Sequence, residues 1–341
     1  MFSTPFVLSF ALLLSLPLLF LLAPRILPPR NVPISLPDEL DDLALFRRAA
    51  LASTSPPPPT PTPKIAFLFL TNSDITFAPL WERFFHGQNH LYNIYIHADP
   101  TARLSPATGV FKGRFIAGKR TQRASPTLIS AARRLLAAAL LDDPANAFFA
   151  LLSQHCVPLH SFRFVYHTLF ASDLSRSSHY PKYRSFIEIL NGEPGLWERY
   201  IARGDDVMLP EVPFSEFRVG SQFFVLTRRH ALVVIRDRRL WRKFRLPCRK
   251  AESCYPEEHY FPTLLSMEDP KGCTHFTLTR VNWTGSTGGH PHTYVPPEIT
   301  PELIGSLRKS NSTYSFLFAR KFAAACLEPL MKIADSVIFR D

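Results

Sequence analysis

With 341 residues, the chain has room for one large domain or two small ones, and its 46% hydrophobic and 13% aromatic content excludes a disordered protein. A net charge of +11 favours an anionic partner, but the basic residues are dispersed and accompany no nucleic-acid-binding motif. We therefore expect a globular domain with no nucleic-acid partner.

The N-terminal segment, residues 1–23, is predicted to anchor the chain in a membrane. From Phe6 to Ala23 runs an apolar stretch of about eighteen residues, just long enough to cross a bilayer. A cleaved signal peptide is the alternative, which Pro24 directly after the stretch disfavours. Residues 24–63 are rich in Pro, Ser and Thr and predict a semi-rigid stem with a short helix at Leu40 to Ala52.

Two features of the sequence disagree about the side of the membrane on which the domain lies. Arg25 and Arg30 follow the apolar stretch, and by the positive-inside rule they argue against a lumenal domain. The sequons Asn282-Trp-Thr284 and Asn311-Ser-Thr313 argue for one, because such sites accept glycans only in the secretory lumen. On the sequons, we expect a lumenal domain.

An α/β domain is predicted from residue 64 onward. Lys64 to Thr71 and Tyr92 to His97 are apolar runs of strand length, separated by an aromatic-rich helical stretch around Trp81 to Phe85. This order favours a parallel sheet covered on both faces. Asp99 follows the second strand, where ligands of such sheets usually bind, although an ordinary turn aspartate has the same position.

The next segments predict a helix, a buried strand and a second helix. Thr127 to Leu141 has a strong helical pattern with Arg133 and Arg134 on its polar side. Phe148 to Leu159 reads as a buried strand that runs into a polar turn. Arg228 to Arg245 is basic and helical, which favours a solvated face, with contact to an anionic membrane or an acidic glycan as the alternative.

The stretch from Cys254 to Met267 places two adjacent carboxylates among aromatic and apolar residues. Pro256 suits the first turn of a helix, so Glu257 and Glu258 are predicted at the N-terminus of a helix. Pro262 is expected to break or kink that helix. Burial and hydrogen bonding can give neighbouring carboxylates different pKa values, although acidic residues here also complement the helix dipole.

Cysteine, tryptophan and histidine residues near this stretch supply further candidates. In an oxidising lumen we expect one disulfide among Cys248, Cys254 and Cys273, with Cys156 free. Trp283 offers a flat apolar face on which a sugar ring can stack. The pair His290 and His292 is a weak metal signal, because no further Cys or His follows at a matching spacing.

Five segments resemble one known family. Pro256-Glu-Glu-His-Tyr-Phe-Pro-Thr-Leu264 resembles the Pro-Asp-Glu-His-aromatic-aromatic-x-Thr-Leu segment of the core-2/I-branching N-acetylglucosaminyltransferases, glycosyltransferase family 14, and particularly of its plant branch. The other similar segments are Ile94-Tyr-Ile-His-Ala-Asp99, Leu151 to Leu159, Gly220-Ser-Gln-Phe223 and Leu317-Phe-Ala-Arg-Lys-Phe322. The resemblance spans roughly residues 64 to 330 and implies a single domain of the glycosyltransferase A type. Residues 64–150 would mainly bind the nucleotide sugar and 151–341 the acceptor.

The resemblance also implies roles for individual residues. Glu258 takes the position of the catalytic base, with Glu257 in place of the family's usual aspartate. Lys321, helped by Arg320, would bind the donor diphosphate, and Arg308 is a candidate for a second family arginine. The implied contacts of Asp99 are with the ribose or uracil. Trp283 and Glu257 would contact the acceptor.

Two departures from common patterns qualify these roles. The family often has a Trp-Gly pair before the helix at residues 127–141, and this chain has Thr121-Gln122-Arg123 instead. No Asp-x-Asp triplet occurs in the chain, so the expected reaction uses no metal and no other cofactor.

The resulting expectation is an anchored Golgi enzyme with a lumenal catalytic domain. It would transfer a sugar, N-acetylglucosamine by resemblance, from a UDP-sugar donor to a hydroxyl of a glycan acceptor, with inversion at the anomeric carbon. A glucuronosyl or xylosyl donor is the alternative within the family. A catalytically silent Golgi scaffold is the alternative from another class.

Overall fold

The computed structural model describes residues 36–53, 62–170, 183–286 and 289–341. The predicted anchor at residues 1–23 lies outside these ranges, as do parts of the predicted stem. Among the helices in the described ranges, none is both long enough and apolar enough to cross a membrane.

The helices and strands are numbered here in chain order. The helices are α1 Leu36–Ala52, α2 Ala78–Phe85, α3 Pro126–Asp142, α4 Phe162–Phe170, α5 Leu196–Tyr200, α6 Arg228–Arg236, α7 Trp241–Phe244, α8 Ala251–Cys254, α9 Tyr260–Glu268, α10 Pro301–Arg308 and α11 Leu327–Ile333. The strands are β1 Lys64–Thr71, β2 Tyr92–Ala98, β3 Asn146–Ser153, β4 Val157–Pro158, β5 Val225–Thr227, β6 Thr279–Val281 and β7 Phe318–Arg320.

Two sheets form the framework of the domain. The larger has the order β2-β1-β3-β5, in which β1 pairs in parallel with β2 and β3, whereas β5 is antiparallel to β3. The smaller has the order β4-β7-β6, with β6 and β7 parallel. The expected mixed α/β fold with a mostly parallel sheet is confirmed.

Strand β1 shows why the larger sheet is covered on both faces. Successive side chains of a strand point to opposite faces, and nearly every residue of β1 is apolar and buried. Phe67 and Phe69 pack with the aromatic side chains of α2. Leu68 and Leu70 pack on the other face with α3.

The N-terminal helix was expected within a stem, but much of it packs on the domain. The chain divides into compact units at residues 1–41 and 42–341, so α1 from Asp42 onward belongs to the second unit. Both oxygens of Asp42 accept hydrogen bonds from Arg134, and Phe46 is buried beside Arg133. The two arginines of α3 are therefore buried, and their placement on a polar helix face is wrong.

Two further expectations about helices are corrected. Pro262 does not break α9, because it is the third residue of that helix and the first N–H groups of a helix have no intrahelical partner. The basic segment expected from residue 228 to 245 is two helices. Asp237 ends α6, and its carboxylate accepts hydrogen bonds from the N–H groups of Leu240 and Trp241 at the start of α7.

Candidate active site

A cavity of about 720 Å³ opens at the carboxyl ends of the parallel strands β1 and β3. Thr71 and Asn72 line it from the end of β1, and Ser153 to His155 line it from the end of β3. Ligands of open α/β sheets usually bind at this edge. The cavity also contains both carboxylates of the segment singled out above.

Glu257 and Glu258 lie in a short 3-10 turn, Pro256–Glu258, which directly precedes α9. Tyr255 enters the turn with a φ of 36°, in the left-handed region. A disulfide joins Cys248 to Cys254 just before it, and this confirms the expected bridge. Cys156 is a free, buried thiol, as expected. The disulfide thus restrains the chain immediately before the two carboxylates.

Glu257 is the more buried of the two carboxylates, with 4% of its surface exposed. One oxygen accepts a hydrogen bond of 3.0 Å from the backbone N–H of Ala124, and the other has no partner in the described chain. Burial raises the pKa of Glu257 to about 7, although the hydrogen bond from Ala124 opposes this. Glu257 therefore ties the loop before α3 to the turn.

Glu258 is partly exposed in the cavity, and among the described residues one of its carboxylate oxygens has a side-chain partner. Its Oε2 accepts a hydrogen bond of 2.9 Å from Nη1 of Arg199 in α5. Its carbonyl accepts one from the N–H of Gly220, where a Cβ would lie 2.0 Å from the carbonyl oxygen of Glu188. The backbone is thus closely packed, while the Oε1 atom remains available to a ligand.

Three cations line the part of the cavity formed by the smaller sheet: Arg280 of β6, Arg320 of β7 and Lys321 after it. Burial lowers the pKa values of Arg320 and Lys321, and mutual repulsion adds to the effect for Lys321. Arg320 stacks over the ring of Phe223 at 4.5 Å, and its buried Nε has no hydrogen-bond partner among the residues that the structure describes. Within the described residues, none of the three forms an ion pair with a carboxylate. Such a group suits a bound anion.

The loop that departs from the family pattern also lines the cavity. Arg123 donates hydrogen bonds of 2.7 Å to the carbonyl of Gly289 and to Nε2 of His290. Its guanidinium lies 5.6 Å from the ring centroid of Tyr255, and that of Arg199 lies 5.3 Å from the same centroid. Tyr255 therefore contacts two arginines at the cavity, Arg123 from the loop before α3 and Arg199 from α5.

Asp99 lies at the end of β2, as expected, but its carboxylate binds residues of neighbouring turns. The side chains and N–H groups of Thr101 and Thr121 donate four hydrogen bonds to it. Burial would raise the pKa of Asp99, but these hydrogen bonds lower it to about 2. Asp99 does not line the cavity, whereas Thr121 does. The turn interpretation fits this geometry, and Asp99 acts on the cavity by holding Thr121.

Arg308 is also directed away from the cavity. It donates hydrogen bonds to the carbonyls of Leu159, Val337 and Ile338 and lies 3.4 Å from Asp341. Its assignment as a candidate for the diphosphate is corrected, since Arg280 is the further cation beside Arg320 and Lys321. Trp283 lines the cavity and is 52% exposed, so its ring is accessible to a ligand.

The two histidines considered as metal ligands have protein partners instead. His290 interacts with Arg123, whose charge lowers the pKa of His290, and His292 contacts Oε1 of Glu298 at 2.7 Å. Across the described ranges, no group of three or more His, Cys, Asp or Glu side chains is arranged to hold a metal ion.

Four further residues line the cavity that the sequence did not identify: Glu188, Arg199, Tyr255 and Arg280. Arg199 and Arg280 belong to short elements with no local pattern that marks them as functional. Tyr255 lies two residues before Glu257, and this closeness to the carboxylate pair was the signal available for it. Glu188 accepts a hydrogen bond from the N–H of Ser221, and burial raises the pKa of its carboxyl.

Comparison with known proteins decides the family. The sequence model described as Core-2/I-Branching enzyme matches residues 65–308. The chain belongs to the Core-2/I-branching enzyme family. A relative in this family, Glycosyltransferase BC10 of Oryza sativa subsp. japonica, is 30% identical over an alignment that covers 77% of this chain and 74% of the relative. The chain is therefore a glycosyltransferase of family 14, consistent with a plant member, and the resemblance to this family is confirmed.

Proposed function

We propose that the protein is an inverting glycosyltransferase that uses a UDP-sugar donor, with Glu258 as its general base and no catalytic metal. The observation that carries this proposal is a single cavity that holds a partly exposed carboxylate and three cations, none of which pairs with an acidic side chain in the described part of the chain. The carboxylate can receive a proton from an acceptor hydroxyl. The cations can stabilise the negative charge of the departing diphosphate.

In the proposed step, Oε1 of Glu258 accepts the proton of an acceptor hydroxyl while the oxygen of that hydroxyl attacks the anomeric carbon of the donor. The bond from that carbon to the diphosphate oxygen breaks at the same time, and UDP leaves with the bonding electrons. Arg320 and Lys321 stabilise the charge that develops on this oxygen. Attack opposite the leaving group inverts the anomeric configuration.

Glu258 suits this role better than its neighbour. Glu257 is almost completely buried, and one of its oxygens is bound to Ala124. The ion pair with Arg199 fixes Oε2 of Glu258 and leaves Oε1 for the acceptor. The main role of Glu257 is then to hold the loop at residues 121–124, which lines the cavity, and its contact with the acceptor is secondary.

Arg280 favours a second candidate for the donor sugar. It lies 5.1 Å from the ring centroid of Phe316 and adds a cation beyond the two assigned to the diphosphate. A donor with its own carboxylate, such as UDP-glucuronic acid, would use that charge, whereas UDP-N-acetylglucosamine would not. An Arg280→Gln variant that loses UDP-glucuronic acid hydrolysis selectively would support the glucuronosyl alternative.

The test of the proposed function is donor hydrolysis by the full-length chain in detergent, with UDP-N-acetylglucosamine, UDP-glucuronic acid and UDP-xylose offered separately. Hydrolysis of one donor, retained in EDTA, is the expected result. The catalytically silent scaffold would bind none of the donors and would gain no thermal stability from UDP. If manganese fully restored an activity that EDTA had abolished, the metal-independent mechanism would be wrong.

The Golgi placement with a lumenal domain is part of the proposal, and the sequence supports it through the apolar segment at residues 6–23 and the two sequons. Asn311 is exposed in a turn, and Asn282 is partly exposed near the cavity. Endoglycosidase treatment and carbonate extraction test glycosylation and membrane retention together. An unglycosylated product that carbonate extracts would contradict this placement.

A further inference from the structure

A second groove, of about 460 Å³, adjoins the cavity. Glu193 and Leu196 line both spaces, so the two are neighbours. The groove is formed by the segment at residues 191–198 and by residues 214–218. No role was assigned to these residues above.

Two exposed aromatic side chains dominate this groove. Trp197 and Phe214 are 50% and 39% exposed, and their rings meet edge to face with centroids 5.0 Å apart. Trp197 also stacks on the buried ring of Tyr200, whose hydroxyl donates a hydrogen bond to the carbonyl of Val212. Packing from below thus fixes the orientation of the indole and leaves half of its surface open to solvent.

Polar side chains surround the aromatic pair. Asn191, Glu193 and Glu198 are exposed along the groove, and in the described part of the chain they have no side-chain hydrogen bond or ion pair. An exposed apolar surface with a polar rim is typical of a ligand-binding groove. Free amide and carboxylate groups beside aromatic faces suit a ligand that carries many hydroxyl groups.

Helix α5 connects the groove to the proposed chemistry. Its residues include Leu196, shared by both spaces, Trp197 in the groove, and Arg199, which forms the ion pair with Glu258. When the reacting hydroxyl of a glycan lies at Glu258, the remaining sugar units must extend out of the cavity, away from the donor site at Arg320 and Lys321. Because Glu193 and Leu196 line both spaces, such a glycan passes close to Trp197 when it extends past them.

We propose that Trp197 and Phe214 form a second subsite for the acceptor glycan, where a pyranose ring distant from the reacting hydroxyl stacks on the exposed indole. The side-chain amide of Asn191 donates hydrogen bonds to hydroxyl groups of that ring or accepts them, and the carboxylate of Glu198 accepts them. This inference rests on the proposed function, because it assumes an acceptor glycan in the adjoining cavity. It makes the protein selective for an acceptor of several sugar units.

Calorimetric titration of the full-length chain in detergent tests the subsite without catalysis. The probes are β-linked oligosaccharides of glucose, galactose and xylose, each with one to six units. For at least one series, affinity should rise roughly tenfold once the chain is long enough to reach the groove, which corresponds to about 1.4 kcal/mol. Trp197→Ala should abolish this gain, whereas Trp197→Phe should retain part of it.

Phe115→Ala is the matched control, because Phe115 is 41% exposed, close to Phe214 in exposure, and lines neither space. This variant should keep the length dependence, whereas Phe214→Ala should weaken it. The melting temperature of each variant, and its affinity for UDP, show whether it remains folded. A second probe of folding is needed because Trp197 packs on Tyr200.

The results separate this inference from the proposed function. A wild-type chain that neither binds UDP nor hydrolyses a donor contradicts the proposed transferase, yet length-dependent binding lost in Trp197→Ala would still support the sugar subsite. Absent or length-independent binding in all three series would overturn the subsite. A folded Trp197→Ala variant that keeps the length dependence would also overturn the subsite. If that variant lost self-association in sedimentation, the indole would instead form a contact between copies of the chain.

Discussion

Replacement of Glu258 by glutamine removes the proposed base while it preserves nearly all of the packing of the side chain. The two groups have almost the same size, and a neutral amide oxygen can still accept the hydrogen bond from Arg199. It cannot take a proton from an acceptor hydroxyl. The variant therefore separates the chemistry of Glu258 from its shape.

The structure sets the size of the expected effects. A general base contributes about 10²- to 10⁴-fold to rate, so sugar transfer should fall by this factor, equivalent to about 2.7 to 5.4 kcal/mol in the barrier. The ion pair with Arg199 has side chains that are 31% and 29% exposed, so its loss costs less than about 1 kcal/mol of stability. The melting temperature should fall by no more than about 4 °C. UDP affinity should change little.

Glu257→Gln is the matched control, one residue away. Because the pKa of Glu257 is raised to about 7, roughly half of the carboxyl groups are protonated at neutral pH, and glutamine resembles that neutral form. We expect a loss of transfer of less than about tenfold. Both variants are assayed by release of UDP with the donor and acceptor that the wild-type protein uses.

Two results would refute this reasoning in different ways. Near-normal transfer by Glu258→Gln with none by Glu257→Gln would move the base to the buried carboxylate and make the assignment of Oε1 wrong. Normal transfer by both variants would show that neither carboxylate takes the proton. In that case the general-base mechanism at this turn would have to be abandoned.

Four further outcomes are expected. Lys321→Ala should weaken UDP binding at least tenfold in titration, since a charged hydrogen bond contributes about 1.5 to 3 kcal/mol, whereas Lys112→Ala on the surface should not. Because the pKa of Glu257 is raised to about 7, its neutral form favours the folded state, and this stability, about 3 kcal/mol, is complete below pH 4.5 and lost as pH rises through 7. The free energy of unfolding of Glu257→Gln should therefore increase relative to that of the wild type between pH 5 and 8. A difference between the two proteins that does not change with pH would contradict the buried carboxyl. Burial lowers the pKa of His259 to about 3, so the stability it contributes is complete above pH 6.5 and falls by about 1.4 kcal/mol per pH unit below it; urea unfolding of His259→Gln should show a shallower pH slope there. Cys248→Ser should lower the free energy of unfolding by about 2 kcal/mol, because the bridge closes a short loop, and an unchanged urea midpoint would mean that the bridge does not form.

The sequence by itself determined the features that depend on neighbouring residues. The apolar run of β1 predicted a strand buried on both faces, and the helical pattern at residues 127–141 predicted α3 to within about one residue at each end. The contiguous segments around Glu258 and Lys321 pointed to the family, and the structure brings both into one cavity. These predictions succeeded because periodicity and short motifs are local properties of the chain.

Local signals were weaker where a residue's position within its element mattered. Pro262 was expected to break a helix, but the helix starts two residues before it. Arg133 and Arg134 were expected on a polar face, but α1 and α6 cover them with acceptors. The proline was misplaced because the start of α9 was not known. The burial of the arginines was missed because α1 and α6, which cover them, are distant in sequence.

Only the tertiary structure decided which partner each polar side chain has. Asp99 and Arg308 have the charges expected of ligand contacts, yet hydrogen bonds from two threonines occupy the first and backbone carbonyls near the C-terminus occupy the second. Arg199 and Glu258, separated by 59 residues, meet at 2.9 Å because α5 and the turn before α9 line the same cavity. A pattern along the chain gives the direction of a side chain within its own element. The groups that it meets depend on how distant elements pack, so no spacing in the sequence could have named them.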